Sequence, residues 1–169
     1  MTPGLLIFGY GNPSRGDDAL GPLFLERLES RLDESTRRAA GGIEYLTDFQ
    51  LQVEHALDLA ERKLVLFADA HAACPPPWIL APLREAEERS YTTHAMSPSA
   101  VLRVYREING THPPPCFLLG IRGERFELGE GLSTAAENHL EAAVELALDL
   151  CAHPEPGYWR SACGHLFPS

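Results

Sequence analysis

Short apolar runs alternate along this chain with segments of helical period. Leu5-Leu6-Ile7-Phe8 is continuously apolar and is ended by Gly9-Tyr10-Gly11-Asn12-Pro13. A run of this kind, bounded by turn residues, predicts a strand buried on both faces. A helix follows, because Leu20, Leu23, Phe24 and Leu28 recur at steps of three and four. Asp17 or Asp18 is its expected N-cap, and Pro22 falls in its first turn, where proline is tolerated. Gly41-Gly42 breaks the chain before a second strand, Ile43-Glu44-Tyr45-Leu46, which ends at Thr47-Asp48. From Gln50 to Glu61 the pattern reads as a short helix carrying Leu51, Glu54, His55, Leu57 and Asp58. Lys63-Leu64-Val65-Leu66-Phe67-Ala68-Asp69 is the strongest strand signal and ends on a single carboxylate. An uninterrupted apolar run belongs at the centre of a sheet, where both faces are covered.

The second half continues the alternation. Trp78-Ile79-Leu80 follows Pro75-Pro76-Pro77 and is expected at a sheet edge, since proline cannot donate to a central ladder. Ser97 and Pro98 read as the N-cap and first position of a helix carrying Val101, Leu102, Tyr105 and Ile108. Beyond Pro113-Pro114-Pro115, the run from Cys116 to Ile121 predicts another buried strand. The last helix opens with Thr134 and Glu137 at capping-box spacing and lines up Leu140, Ala143, Val144, Ala147 and Leu148. From His153 onward Pro, Gly and aromatic residues replace periodicity. The expected organisation is one α/β domain over residues 1–152 and an irregular tail over 153–169, with no internal repeat or linker. Its predicted architecture is three-layer α/β/α, built on about five mostly parallel strands with one short antiparallel edge strand.

Composition narrows the chemistry. A chain of 169 residues suits a single core. It carries 24 acidic against 14 Lys and Arg residues, a net charge of −10, which argues against nucleic acid, because phosphate binding needs clustered cations. No apolar run approaches the roughly 20 residues needed to cross a bilayer. Met1-Thr2-Pro3-Gly4 lacks the charged start of a signal peptide, so a cytoplasmic protein without membrane insertion is expected. Cys74, Cys116, Cys151 and Cys163 are too scattered for a disulfide framework and read as free thiols. Cys151-Ala-His153 and Cys163-Gly-His165 leave one residue between the paired groups, a poor match to structural zinc spacing. His55, His71, His112 and His139 are expected on helix surfaces or loops, mostly solvated.

In open α/β sheets, ligands bind outside the C-terminal ends of the strands. That rule selects three positions: the loop Gly9 to Asp18, Asp69, and the turn Thr92-Thr93-His94-Ala95-Met96-Ser97-Pro98. Two carboxylates and an imidazole converging there suit a divalent transition metal, since Asp oxygen and His nitrogen both ligate borderline ions. Each position also has a plain reading: a helix cap, a loop acceptor, a solvated histidine. Nucleotide binding is disfavoured, because Ser14 breaks the glycine fingerprint and acidic residues beside it would repel a pyrophosphate. No Ser-His-Asp or Cys-His pairing is evident, and no nucleophile is assigned.

The same segments carry a family resemblance. Gly9-x-Gly11-Asn12-Pro13-x-x-Gly16-Asp17-Asp18-x-x-Gly21-Pro22 resembles the N-terminal signature of the hydrogenase maturation endopeptidases. Leu66-Phe67-Ala68-Asp69-Ala70 is similar to that family's central strand and its acidic end. Thr92-Thr93-His94-x-Met96 resembles its histidine turn, and Leu119-Gly120-Ile121 with Gly131-Leu132-Ser133 resembles its late strand-to-helix region. The likeness runs in consistent order from about Leu5 to Leu150 and implies a phosphorylase/hydrolase-like sheet. Ala19 stands where glycine is frequent. Asp48-Phe49-Gln50-Leu51, with Glu54, resembles the branch serving soluble NAD-coupled hydrogenases.

The resemblance implies an endopeptidase that removes a C-terminal peptide from the nickel-loaded precursor of a [NiFe]-hydrogenase large subunit. It implies Asp18, Asp69 and His94 as the catalytic and nickel-contacting residues, with Asp17 serving the loop or the helix N-terminus. The nickel would arrive with the substrate and act as recognition element; zinc or cadmium would substitute in vitro. Nickel would polarise the scissile carbonyl, or Asp18 or Asp69 would act as general base in the manner of an aspartic protease. A monomer is expected. The alternative is a non-proteolytic nickel-binding assembly chaperone using the same ligands.

Overall fold

The computed structural model describes residues 1–87 and 96–163. Four parallel strands, β1 (Leu5–Tyr10), β2 (Ile43–Asp48), β3 (Leu64–His71) and β5 (Cys116–Arg122), join an antiparallel β4 (Trp78–Pro82) in the order β2-β1-β3-β5-β4. The central position of β3 and the edge position of β4 follow from the apolar run of one and the flanking prolines of the other. Along β1 and β3 side chains alternate between faces, and both faces are covered. Leu5, Ile7, Leu64, Leu66 and Ala68 pack toward helices α1 (Leu20–Arg31) and α4 (Thr134–Ala152). Leu6, Phe8, Val65 and Phe67 pack toward a 3-10 helix (Val53–Leu59) and α3 (Pro98–Asn109). This is the expected three-layer α/β/α arrangement. A short α2 (Glu34–Ala39), capped by Asp33 on the Thr36 N–H at 2.7 Å, leads into β2.

Local expectations differ from the structure at several points. Neither Asp17 nor Asp18 caps α1: a 3-10 turn (Gly16–Ala19) precedes the helix, and Ala19 occupies the cap position without a side-chain bond. Ser133, not Thr134, caps α4, accepting from the Ala136 N–H at 3.1 Å. Glu137 is drawn instead to Arg27 of α1 at 2.6 Å. Leu148 is only half-buried, and Leu150 and Cys151 complete the α4 core face. Ile108 on α3 is 57% exposed, whereas Val104 is buried. The segment after β2 is a 3-10 rather than an α-helix, opened by Gln52 and His55 in a reciprocal cap.

Three histidines expected in solvent hold structure. His55 Nδ1 accepts from the Gln52 N–H at 2.8 Å, and its ring meets Phe8 edge-on at 4.6 Å. His71 Nδ1 accepts from the N–H groups of Ala73 and Cys74, and His139 Nδ1 lies 2.9 Å from the Arg122 carbonyl. His112 is exposed as expected, beside Glu85.

The tail is the largest departure. Residues 156–163, expected to be irregular, form helix α5 (Pro156–Cys163), which buries Trp159 completely. The Trp159 Nε1–H donates to the carbonyls of Leu150 at 2.9 Å and His153 at 3.1 Å, and its ring packs against Phe117. A single large aromatic with its polar edge satisfied docks a segment too short to show helical periodicity.

Gly21 couples α1 to β1. A Cβ there would stand 2.1 Å from the Tyr10 carbonyl oxygen, so only glycine lets the helix press against the strand end. Gly21→Ala, which would gain stability in an ordinary helix, is expected to lose about 1–3 kcal/mol here through overpacking. Urea denaturation checks the sign.

Candidate functional site

Strand β1 pairs with β2 on one side and β3 on the other, and the chain crosses between them. Strand order therefore reverses at the C-terminal ends of β1 and β3, and the crevice there is where α/β sheets bind ligands. Asp18 and Asp69 flank it. A separate cleft of about 460 Å³, lined by residues including Leu83, Arg84, His112 and Pro113, lies by Cys116 at the start of β5, the opposite end of the sheet.

The loop after β1 is built to hold Asp18. Gly11 has φ +145°, and a Cβ on it would stand 2.1 Å from the Asp18 carbonyl oxygen, so glycine is required. Its N–H donates to the Asp48 carbonyl at the end of β2, 3.0 Å away. The next N–H, of Asn12, donates to Asp18 Oδ2 at 2.7 Å, and the Asn12 side chain turns back to accept from Ser14 N–H at 2.9 Å. The Gly-x-Gly-Asn-Pro sequence thus orients a carboxylate rather than a phosphate.

Asp69 does not end its strand, as the apolar run suggests; β3 continues to His71, with Asp69 opposite Gly120 of β5. Its carboxyl is pushed from the usual 3.8 up to about 7, first by burial and then by the charge of Asp18. Bonds from the Ala70 N–H and the Tyr10 hydroxyl offset only part of this. Tyr10, 7% exposed, has its own phenol held well above the ordinary value by burial and by Asp69. At neutral pH, Asp69 is therefore divided between acid and carboxylate, as is common for groups that transfer protons or bind cations. A divalent cation placed between Asp18 and Asp69 would relieve their repulsion.

Asp17 has a role that sequence reasoning left between loop and helix. It is fully buried, and its carboxylate accepts from the N–H groups of Glu124, Arg125 and Ser133 and from the Ser133 hydroxyl, at 2.7–3.0 Å. Burial alone would raise its pKa, but the bonds from Glu124, Ser133 and Arg125 outweigh that and hold it below the ordinary carboxylate range. The doubled Asp17-Asp18 was the available signal, because one helix start needs only one cap.

His94, the third expected ligand, lies outside the described residues. Among the described residues, no three His, Cys, Asp or Glu side chains form a group that could hold a metal ion. Of the tail Cys-His pairs, Cys151 and Cys163 are buried free thiols, and His165 lies outside the described residues. Burial pushes the Cys151 thiol up to about 12, which leaves it unreactive.

No protein-family model matches this chain, and a search of curated proteins finds no match. Solved structures do match. The hydrogenase maturating endopeptidase HybD from Escherichia coli is 26% identical with a TM-score of 0.68, over 89% of this chain and 93% of that one. The [NiFe] hydrogenase maturation protease HycI from Thermococcus kodakarensis KOD1 is 25% identical with a TM-score of 0.66, over 89% and 92%. A further Escherichia coli endopeptidase is 29% identical with a TM-score of 0.62, over 86% and 90%. Near-complete mutual coverage and TM-scores of 0.62–0.68 give this chain the α/β fold of solved hydrogenase maturation endopeptidases, to which it is similar over most of its length.

Proposed function

We propose that this chain is an endopeptidase of hydrogenase maturation that removes a C-terminal peptide from the nickel-loaded precursor of a [NiFe]-hydrogenase large subunit. The observation that carries the reading is the pairing of Asp18 with Asp69 at the strand-order reversal, with Asp69 raised to about 7. Nickel belongs to the substrate. Asp18 and Asp69, with His94 as third ligand, receive it, and zinc or cadmium replaces it in vitro. Facing carboxylates repel until a cation arrives, so a metal-loaded precursor binds in preference to an empty one. Held there, nickel supplies Lewis acidity at the scissile carbonyl. Alternatively, Asp18 or Asp69 takes a proton from the attacking water as general base.

The substrate is assigned to the soluble NAD-coupled type on the segment Asp48-Phe49-Gln50-Leu51 and Glu54, where Leu51 is buried and Phe49 exposed. A cytoplasmic setting fits the four free cysteines, all buried, and among the described residues no helix is long and apolar enough to cross a membrane.

Mass measurement of a nickel-loaded precursor before and after incubation tests the function. Loss of a C-terminal peptide is expected, and binding without a mass change points to an assembly chaperone instead. Asp18→Ala, Asp69→Ala and His94→Ala should each slow processing by about 100-fold or more. Wild-type rates in all three would overturn the site. Cleavage of a metal-free precursor in chelator would overturn nickel recognition.

A further inference from the structure

We propose that Asp17 is a positioning residue: it ties the turn that carries Asp18 to the segment between β5 and α4, and so sets where the Asp18 carboxylate stands. The proposal rests on the reading of Asp18 as a metal-facing ligand. Among the described residues Asp17 is the one charged or polar residue in the fully buried set, and no cation pairs with it there. Its counter-charge is instead a cradle of four donors. Oδ2 accepts from Glu124 N–H at 2.7 Å, Arg125 N–H at 3.0 Å and Ser133 Oγ–H at 2.7 Å; Oδ1 accepts from Ser133 N–H at 2.7 Å. Ser133 uses the same hydroxyl to accept from Ala136 N–H, so the cradle is continuous with the first turn of α4.

The main chain repeats the connection. Asp17 N–H donates to the Arg125 carbonyl at 2.6 Å, Gly16 N–H to the Glu130 carbonyl at 3.0 Å, and Gly129 N–H to the Ser14 carbonyl at 2.7 Å. A Cβ on Gly16 would stand 2.5 Å from the Arg125 carbonyl oxygen, which shows how closely the two segments approach. Successive residues of a 3-10 turn are rotated by about 120° about its axis. With the Asp17 side chain locked into the 124–133 cradle, the Asp18 side chain is directed elsewhere, toward Asn12 N–H and the charge of Asp69. If the turn rolls, Asp18 leaves the crevice. Residues that orient a metal ligand commonly change metal affinity by about 10–100-fold when altered.

The isosteric variant Asp17→Asn isolates this role. In either amide orientation at least one N–H donor of the cradle faces an NH2 group. The probe is Ni²⁺ alone, titrated calorimetrically into the full-length chain as wild type, Asp17→Asn, Ser133→Ala and Asp18→Asn. Leu28→Ala, a core change in α1 away from the crevice, serves as a control of comparable or greater instability. Asp17→Asn is expected to weaken nickel binding about tenfold while still melting cooperatively, with Ser133→Ala weaker than wild type by a smaller factor and Leu28→Ala unchanged. If Asp17→Asn does not fold, Ser133→Ala decides. Wild-type affinity in the folded cradle variants, with Asp18→Asn defective, overturns the positioning role and leaves the site reading intact. Wild-type affinity in Asp18→Asn, or no nickel binding by the wild type, overturns that reading and this proposal with it.

Discussion

Asp69→Asn is expected to stabilise the metal-free protein above pH 7 while removing its processing activity. The folded protein holds Asp69 near 7 against about 3.8 when unfolded, so folding favours the protonated form. Stability contributed by this group is complete below about pH 4 and drains away as pH rises to 7, because the folded state must then give up a proton that the unfolded state has already lost. The shift is about three pKa units, and with partial solvent access it amounts to about 2–4 kcal/mol. Asn cannot ionise, and its carbonyl oxygen still accepts from Ala70 N–H. Urea denaturation in chelator should give nearly equal stabilities at pH 4, a growing advantage for the variant to pH 7, and a constant gap above it. Parallel curves would sink the claim. Asp17 behaves oppositely: its lowered pKa contributes stability present above the unfolded value and lost as pH falls below it.

A site residue whose replacement stabilises the fold is one the fold tolerates for function. Facing Asp18 across the crevice, Asp69 is held in an environment that resists its charge, and a divalent cation would remove that resistance. This is why the pH experiment and the processing experiment bear on the same group from opposite directions.

Trp159→Ala is expected to cost about 3–5 kcal/mol, lowering Tm by roughly 10 °C for a chain of this size. The indole is fully buried, packs on Phe117 of β5 at 5.4 Å, and bonds through Nε1 to the last turn of α4. Trp159→Phe keeps most of the packing and loses the N–H bonds with part of the ring volume, so it should recover much of that loss. Nickel-dependent processing should persist in Trp159→Ala below its lowered Tm, since α5 packs against β4 at the sheet edge rather than the crevice. A loss under 1 kcal/mol would mean that α5 is dispensable and the domain ends near residue 152.

The contrast between Asp69 and Trp159 shows what a linear reading can reach. Asp69 was visible because an apolar run closing on one carboxylate is unusual and strand ends are where ligands bind. Trp159 was not, because eight residues containing Pro156, Gly157 and a single buried aromatic have no period to detect. Thr134 fits the local cap pattern as well as Ser133 does, yet Ser133 caps α4, and Arg27, far away in sequence, pairs with the Glu137 that would complete a Thr134 capping box.

The sequence by itself determined the strands β1, β3 and β5, the edge place of β4 and the helices that cover the sheet, because apolar runs, helical periods and prolines act within a few residues of themselves. It also determined the chemical types at the crevice, one carboxylate after a glycine-rich loop and one closing an apolar run. Only the tertiary structure decided which partners each carboxylate meets. Asp17 and Asp18 are chemically identical neighbours, and they part company because Asp17 meets donors 107 to 116 residues along the chain while Asp18 meets Asn12 and the field at Asp69. Burial and charge at that distance depend on how the layers pack, and no local pattern carries them.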